Sequence, residues 1–210
     1  MNTADLVTLV DESDQVIGSM DKVEAHKGTA IRHRAISVYL FQQRDDGEYL
    51  LIQQRSTKKI LGSLQWANTV CGNVWPNESY HQCAMRRLSV ELGITSVNIT
   101  PIHKFEYHLQ CSEQFSEWEI DQVFAGWYDD AVTANPDEVR DFVWVKWEDL
   151  INKNKNTPFD HSPFRSKTIE ITNPTTQQLN NTTTLQLSPW FVHMLDDTQL
   201  VNKLNSFVNQ

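Results

Sequence analysis

Apolar positions along this chain come in short runs parted by polar turn residues, and their period shifts between that of strands and that of helices. Leu6–Val10 reads as a strand, and residues 11–14 turn it into 15–20, the second arm of a hairpin. Residues 35–41 (Ala-Ile-Ser-Val-Tyr-Leu-Phe) are apolar and rich in strand formers, which predicts a buried strand. Asp45-Asp46-Gly47 turns the chain into a second strand at 48–55, and 66–71 reads as another extended segment. Residues 79–92 follow a turn-forming Pro76-Asn77 and space Cys83, Ala84, Leu88 and Leu92 as on a helix face, with Gly93 at the stop. Later strands are expected at 102–110, 118–128 and 142–146, with a short helix at 147–151. Residues 152–187 are rich in Asn, Thr, Gln, Ser and Pro, which predicts a long loop-like insertion, either a lid or a surface expansion. Ser188 as N-cap and Pro189 at the first helical position then open an amphipathic helix to about residue 208, with Trp190, Phe191, Met194, Leu195, Leu200, Leu204 and Phe207 on its apolar side. No internal repeat interrupts this order, so residues 1–210 read as a single domain.

Charge and cysteine usage narrow the function classes. A formal net charge of −9 argues against a nucleic-acid-binding surface, which needs a cationic footprint. An anionic small substrate remains open, since a local cluster of Arg and Lys with a divalent cation can set the sign of one site. The three cysteines, Cys71, Cys83 and Cys111, form no C-x-x-C pair. No apolar run approaches the roughly 20 residues of a membrane span, and no apolar leader follows Met1. A reducing cytoplasm is the simplest setting, and it keeps a reactive thiol free.

Two patterns carry chemistry. In Glu117-Trp118-Glu119-Ile120-Asp121 acidic and apolar residues alternate, so a strand would place all three carboxylates on one face. Taken alone this is most simply a solvated face; three like charges otherwise need a cation among them. The second pattern is Gly72-x5-Glu78-x7-Arg86-Arg87-Leu88-Ser89-Val90-Glu91-Leu92-Gly93-Ile94, directly after Cys71. It resembles the Nudix box, G-x5-E-x7-R-E-(apolar)-x-E-E-x-G-(apolar). Where a pyrophosphohydrolase has metal-binding glutamates, this chain has Arg87 and Val90. A helix that keeps only Glu91 can hold one cation but is poorly equipped to activate water for P–O cleavage.

Asn68-Thr69-Val70-Cys71-Gly72 followed by this box is similar to type I isopentenyl-diphosphate isomerase, a branch of the Nudix superfamily. The resemblance runs from about Val7 to Asp149 and resumes at Ser188-Pro189-Trp190. It implies an α/β (α+β) Nudix fold, with mixed β-sheets sandwiched between helices and a C-terminal helix. It also implies an isomerase that interconverts isopentenyl and dimethylallyl diphosphate in isoprenoid biosynthesis, acting as a monomer or weak dimer on a small diphosphate. His26, His33, Glu117 and Glu119 are the implied ligands of a divalent metal, Zn²⁺, Mn²⁺ or Mg²⁺. Glu91 is the implied holder of a Mg²⁺ that bridges to the diphosphate, with Arg55, Lys59 and Arg87 as phosphate-binding cations. The implied proton carriers are Glu119, helped by Tyr107, on one face of the substrate and Cys71 on the other. Trp190 matches an aromatic that covers the hydrocarbon end. One departure stands out: the family has Cys-Gly-His or Cys-Ser-His where this chain has Cys71-Gly72-Asn73. Asn is a weaker, neutral oxygen donor, which implies a looser metal site, a substitute ligand such as Asp121, or a preference for Mg²⁺ or Mn²⁺. A Nudix-type hydrolase of a nucleoside or other small diphosphate is the alternative reading, and a non-catalytic binding module a third.

Overall fold

A computed structural model describes residues 6–172 and 182–210. Among them the strands form one connected, mixed eleven-stranded sheet. At its centre lies β3 (His33–Arg44), flanked by β1 (Leu6–Val10), β4 (Gly47–Arg55), β6 (Val70–Asn73) and β8 (Ser116–Trp127). β8 runs parallel to β3, and β6 antiparallel to it. β2 (Val16–Asp21) closes one edge beside β1. β7 (Ile99–Gln110) pairs with β8, while β5 (Trp66–Ala67) and β9 (Val139–Lys146) pair with β4.

The period-two rule explains why residues 35–41 are apolar throughout. Ile36, Val38 and Leu40 point to one side of β3, where α2 (Tyr80–Leu92) covers them with Leu88 and Leu92. Tyr39 and Phe41 point to the other, into a core shared with Trp147, Leu150, Phe191 and Leu204. Helix α2 begins with a capping box, in which Ser79 and Gln82 satisfy each other's backbone N–H. It ends at Gly93, whose φ of 68° is left-handed.

Three expectations need correction. The segment at 66–71 is two strands, because the wholly buried Asn68 and Thr69 replace a backbone rung with side chains: Asn68 Nδ2 donates to Val38 O and Val70 O, and Thr69 Oγ1 accepts from Leu40 N and donates to Leu51 O. The loop-like insertion at 152–187 is largely ordered where described. α3 (Trp147–Asn156) runs past 151, and β10 (Lys167–Thr172) pairs with β11 (Thr182–Leu187) as a hairpin that joins the sheet through Leu187 beside Trp66. The strand alternation of Ile169, Ile171, Leu185 and Leu187 is there, but sparse apolar residues among many Asn and Thr hid it. Residues 173–181 of that insertion lie outside the described residues. Finally, the C-terminal helix is two helices, α4 (Pro189–Asp196) and α5 (Thr198–Val208). Asp197 ends the first and caps the second, accepting from Gln199 N and Leu200 N.

Candidate active site

Strand register brings the candidate residues together. On β8, Glu119 stands beside His33 of β3 and Tyr107 of β7. Cys71 of β6 stands beside Ser37, and Ala35 lies between Asn73 and Asp121. His26 comes from α1 (Lys22–His26), a one-turn helix the hydrophobic pattern did not reveal. Its signal was there: Asp21 caps the N–H groups of Val23 and Glu24, in the spacing Asp-x-x-Glu.

His26, His33, Glu117 and Glu119 are all buried, and one ligand atom from each lies within 4.8 Å of the others. The acidic strand face is therefore not a solvated one. Each imidazole donates through Nδ1 to a backbone carbonyl, His26 to Lys22 O at 2.6 Å and His33 to Ile31 O at 2.7 Å, so both Nε2 atoms turn inward. His26 Nε2 lies 2.9 Å from Glu117 Oε2, and His33 Nε2 lies 3.3 Å from Glu119 Oε1. Among the described residues, Glu117 Oε2 and His33 Nε2 have no hydrogen-bond partner. Buried, orphaned acceptors that converge on one point suit a divalent cation. Asn73 is at the rim of this group, where its Nδ2 donates to Glu119 Oε1 at 3.1 Å. Asp121 is not drawn in; its Oδ2 accepts from Ser37 Oγ at 2.7 Å.

Without a cation, His26 and Glu117 stabilise each other's charge. Burial opposes a charge on His26, but the Glu117 carboxylate beside it prevails and raises the ring to about 8. Burial likewise works against ionised Glu117, and the charge of His26 overcomes it, drawing the carboxyl down to about 2. His26 therefore adds stability below its ordinary value of 6.5 and loses it as pH rises through 8, while Glu117 adds stability above 4.5 and loses it as pH falls through 2. The pair contributes most to the metal-free fold between those ordinary values. Zn²⁺ titrated into metal-free protein at pH 7 is expected to expel about one proton per ion, since a ligating imidazole must be neutral. Calorimetry in buffers of different ionisation enthalpy reads this directly; heats independent of buffer would refute it.

A cleft of about 460 Å³ opens beside this group, lined among others by Lys22, Arg55, Lys59, Arg87, Cys71, Tyr107, Glu119 and Trp190. Its cationic end is built around α2. Arg87 Nε donates to Glu91 Oε1 at 2.7 Å, and Gln53 Nε2 donates to Glu91 Oε2 at 2.6 Å. Burial favours the neutral acid at Glu91, yet the guanidinium of Arg87 holds it below the usual carboxylate range. Val90, the other substituted box position, faces solvent with 41% of its surface exposed. Two cleft residues had escaped the pattern reading. Lys22 faces the cleft, beside the charges of Arg87, Lys59 and Arg55. Glu138 accepts from both Lys59 and Arg87, the latter at 2.9 Å. Only the run of charges at 137–141 hinted at it.

At the other end, Tyr107 donates to Glu119 Oε2 at 2.5 Å. The Cys71 thiol donates to Asn68 Oδ1 at 2.8 Å, and burial, together with the charge of Asp121, pushes it up to about 12. Cys71 is thus a protonated thiol at neutral pH. Trp190, on α4, is almost wholly buried; Arg55 lies over its ring at 5.0 Å, and among the described residues its Nε1 has no hydrogen-bond partner. Gly62 makes this seat possible, since a Cβ there would stand 2.4 Å from the Trp190 ring.

Sequence and fold comparisons agree with this geometry. Residues 31–167 match the NUDIX domain, so the chain belongs to the Nudix family. The DR0079 structure from Deinococcus radiodurans shares this fold with a TM-score of 0.57 at 21% identity, covering 70% of this chain and 86% of that one. A C. elegans Ap4A hydrolase complex shares it with a TM-score of 0.51 at 15% identity, covering 84% and 97%. Among curated proteins, isopentenyl-diphosphate Delta-isomerase of Pectobacterium atrosepticum is 39% identical over 72% of this chain and 82% of its own length. That of Nocardia farcinica is 34% identical over 79% and 93%. Within the Nudix family, the chain belongs to the isopentenyl-diphosphate Delta-isomerases.

Proposed function

We propose that this chain interconverts isopentenyl and dimethylallyl diphosphate, with the Nudix helix serving to grip rather than to cleave. The observation that carries this reading is a cleft with a cationic end and, at its other end, proton-bearing groups on three strands: Cys71 on β6 and the Tyr107–Glu119 pair across β7 and β8. In the forward direction the alkene's electrons take a proton at the terminal carbon, leaving a tertiary cation at the branched carbon. Loss of a proton from the neighbouring methylene then forms the new double bond, so atoms and electrons balance. An unactivated alkene is a poor base, so the acid must be held close and water kept out.

Glu119, with Tyr107 on its Oε2, stands on the protonating side, and Cys71 on the opposite face, acting in its minor thiolate form, takes the proton from the methylene, so that one proton enters the substrate and one leaves it. In the metal-free site, burial and the charge of Glu117 push the Glu119 carboxyl up. Arg55, Lys59 and Arg87, joined by Lys22, take the diphosphate. Trp190, with Arg55 over its ring, lines the cleft where the hydrocarbon would lie, and its π system can stabilise a carbocation. His26, His33, Glu117 and Glu119 would hold a Zn²⁺, Mn²⁺ or Mg²⁺, which supplies charge that fixes the orientation and ionisation of Glu119. Asn73 in place of a third imidazole favours the harder ions of that set. Glu91, already paired with Arg87, offers no open cage, which suits a Mg²⁺ that arrives with the phosphates.

Proton NMR of isopentenyl diphosphate in D₂O with Mg²⁺ tests this reading. Deuterated dimethylallyl diphosphate is the expected product. No exchange, even with Zn²⁺ or Mn²⁺ added, would overturn it, and phosphate release from nucleoside diphosphates would then favour the hydrolase.

A further inference from the structure

Glu138 lines the cationic end of the cleft, bound to two cations that a substrate phosphate would be expected to engage. Its Oε2 takes hydrogen bonds from both Lys59 Nζ and Arg87 Nη2, while Lys59 Nζ is also 3.9 Å from Glu91 Oε1. The side chain is 26% exposed, toward the cleft it lines, against 14% and 15% for the two cations. Its placement is built rather than incidental. Asn135 N donates to Glu91 O and Glu138 N to Asn135 O, while Ser56 N donates to Glu138 O and Ser56 Oγ to Asp137 O. The loop that carries Glu138 is thereby pinned both to the end of α2 and to the segment that carries Lys59.

We propose that Glu138 is a specificity-determining counter-ion: it holds the place of a phosphate oxygen between Lys59 and Arg87, so that the cleft takes a cation-complexed diphosphate in preference to the free anion. This rests on the reading of the cleft as a diphosphate seat. Lys22, Arg55, Lys59 and Arg87 set four positive charges against the two negative charges of Glu91 and Glu138. A free diphosphate must compete with Glu138 for two of those cations and meet its repulsion at close range. A divalent cation that enters with the phosphates turns the same carboxylate from a competitor into a partner. Cation and diphosphate should then strengthen each other's binding reciprocally, and that coupling should depend on the charge at position 138.

The test is calorimetric binding of inorganic pyrophosphate to the whole chain, with and without Mg²⁺, for the unaltered protein, Glu138→Gln, Glu138→Asn and Glu138→Asp. Both neutral variants are expected to bind free pyrophosphate roughly tenfold tighter than the unaltered protein and to gain little from Mg²⁺, and Glu138→Asp to stay Mg²⁺-dependent. Thermal shifts supply a second reading, since pyrophosphate alone should raise Tm more in a neutral variant than in the unaltered protein. Either neutral variant suffices if the other fails to fold. Neutral variants with the Mg²⁺ dependence of the unaltered protein would overturn the proposal and leave Glu138 a purely structural ion-pair partner. Absence of pyrophosphate binding in every protein, with Mg²⁺ or without, would instead overturn the diphosphate seat itself, and this proposal with it.

Discussion

Alanine at position 71 is expected to lower turnover by about three orders of magnitude with little change in substrate affinity, since it removes a proton carrier and no cation. The thiol is held for this task. Asn68 has both amide hydrogens on backbone carbonyls, so its oxygen is fixed toward Cys71 and accepts the thiol proton at 2.8 Å. Loss of the sulfur leaves the cationic end intact, and bound pyrophosphate should still raise Tm. Deuterium incorporation into product and the pyrophosphate thermal shift, measured on the same preparation, separate the two functions. A Cys71→Ala variant with more than a tenth of the original turnover would remove Cys71 from the mechanism.

Replacement of Arg87 by alanine is expected to damage both stability and binding. Arg87 is the shared partner of Glu91, which is 1% exposed, and of Glu138. Its removal leaves a buried carboxylate with Gln53, a more distant Lys59 and the charge of Arg55, a type of break that costs about 3–5 kcal/mol. For a chain of this size that corresponds to a fall in Tm of roughly 10 °C. The cost falls on one side of the pH scale. Burial raises Glu138, but Arg87 and Lys59 hold it down to about 2, so its contribution is present above its ordinary 4.5 and fades as acid approaches 2. The Tm gap between the two proteins should therefore narrow on acidification. An equal Tm at neutral pH would mean that Lys59 alone neutralises both carboxylates.

Much of this was legible because the sheet and the first helix announce themselves locally. Residues 35–41 are apolar on both faces because both faces are covered, and Ser79, Gln82 and Gly93 mark the ends of α2. The Nudix frame led to Glu91 and Arg87, and alternation led to Glu117 and Glu119. What alternation alone could not supply was the burial of that acidic face, which depends on α1 and β3 bringing two imidazoles to it from nearly a hundred residues upstream. Lys22 and Glu138 were hidden for a related reason: each sits in a charged stretch that looks like ordinary surface, and only tertiary placement turns it toward the cleft. The β10–β11 hairpin was missed because four apolar residues suffice when a strand has only one face to cover. The break at Asp197 was a capping signal overridden by an uninterrupted apolar stripe on both sides.

The pairing of Arg87 with Glu91 has a consequence for the fate of the product. On the proposed activity, the enzyme turns a homoallylic ester into an allylic one, whose carbon–oxygen bond ionises more readily because the resulting cation is delocalised. A helix dense in metal-binding carboxylates would concentrate electrophilic charge on the phosphates and so threaten the product more than the substrate. With a guanidinium tied into a carboxylate at 2.7 Å, and a valine turned to solvent at the other position, this helix is a poor promoter of that departure. On that activity, the same two positions that leave this helix poor in metal ligands would also keep electrophilic charge away from a labile product.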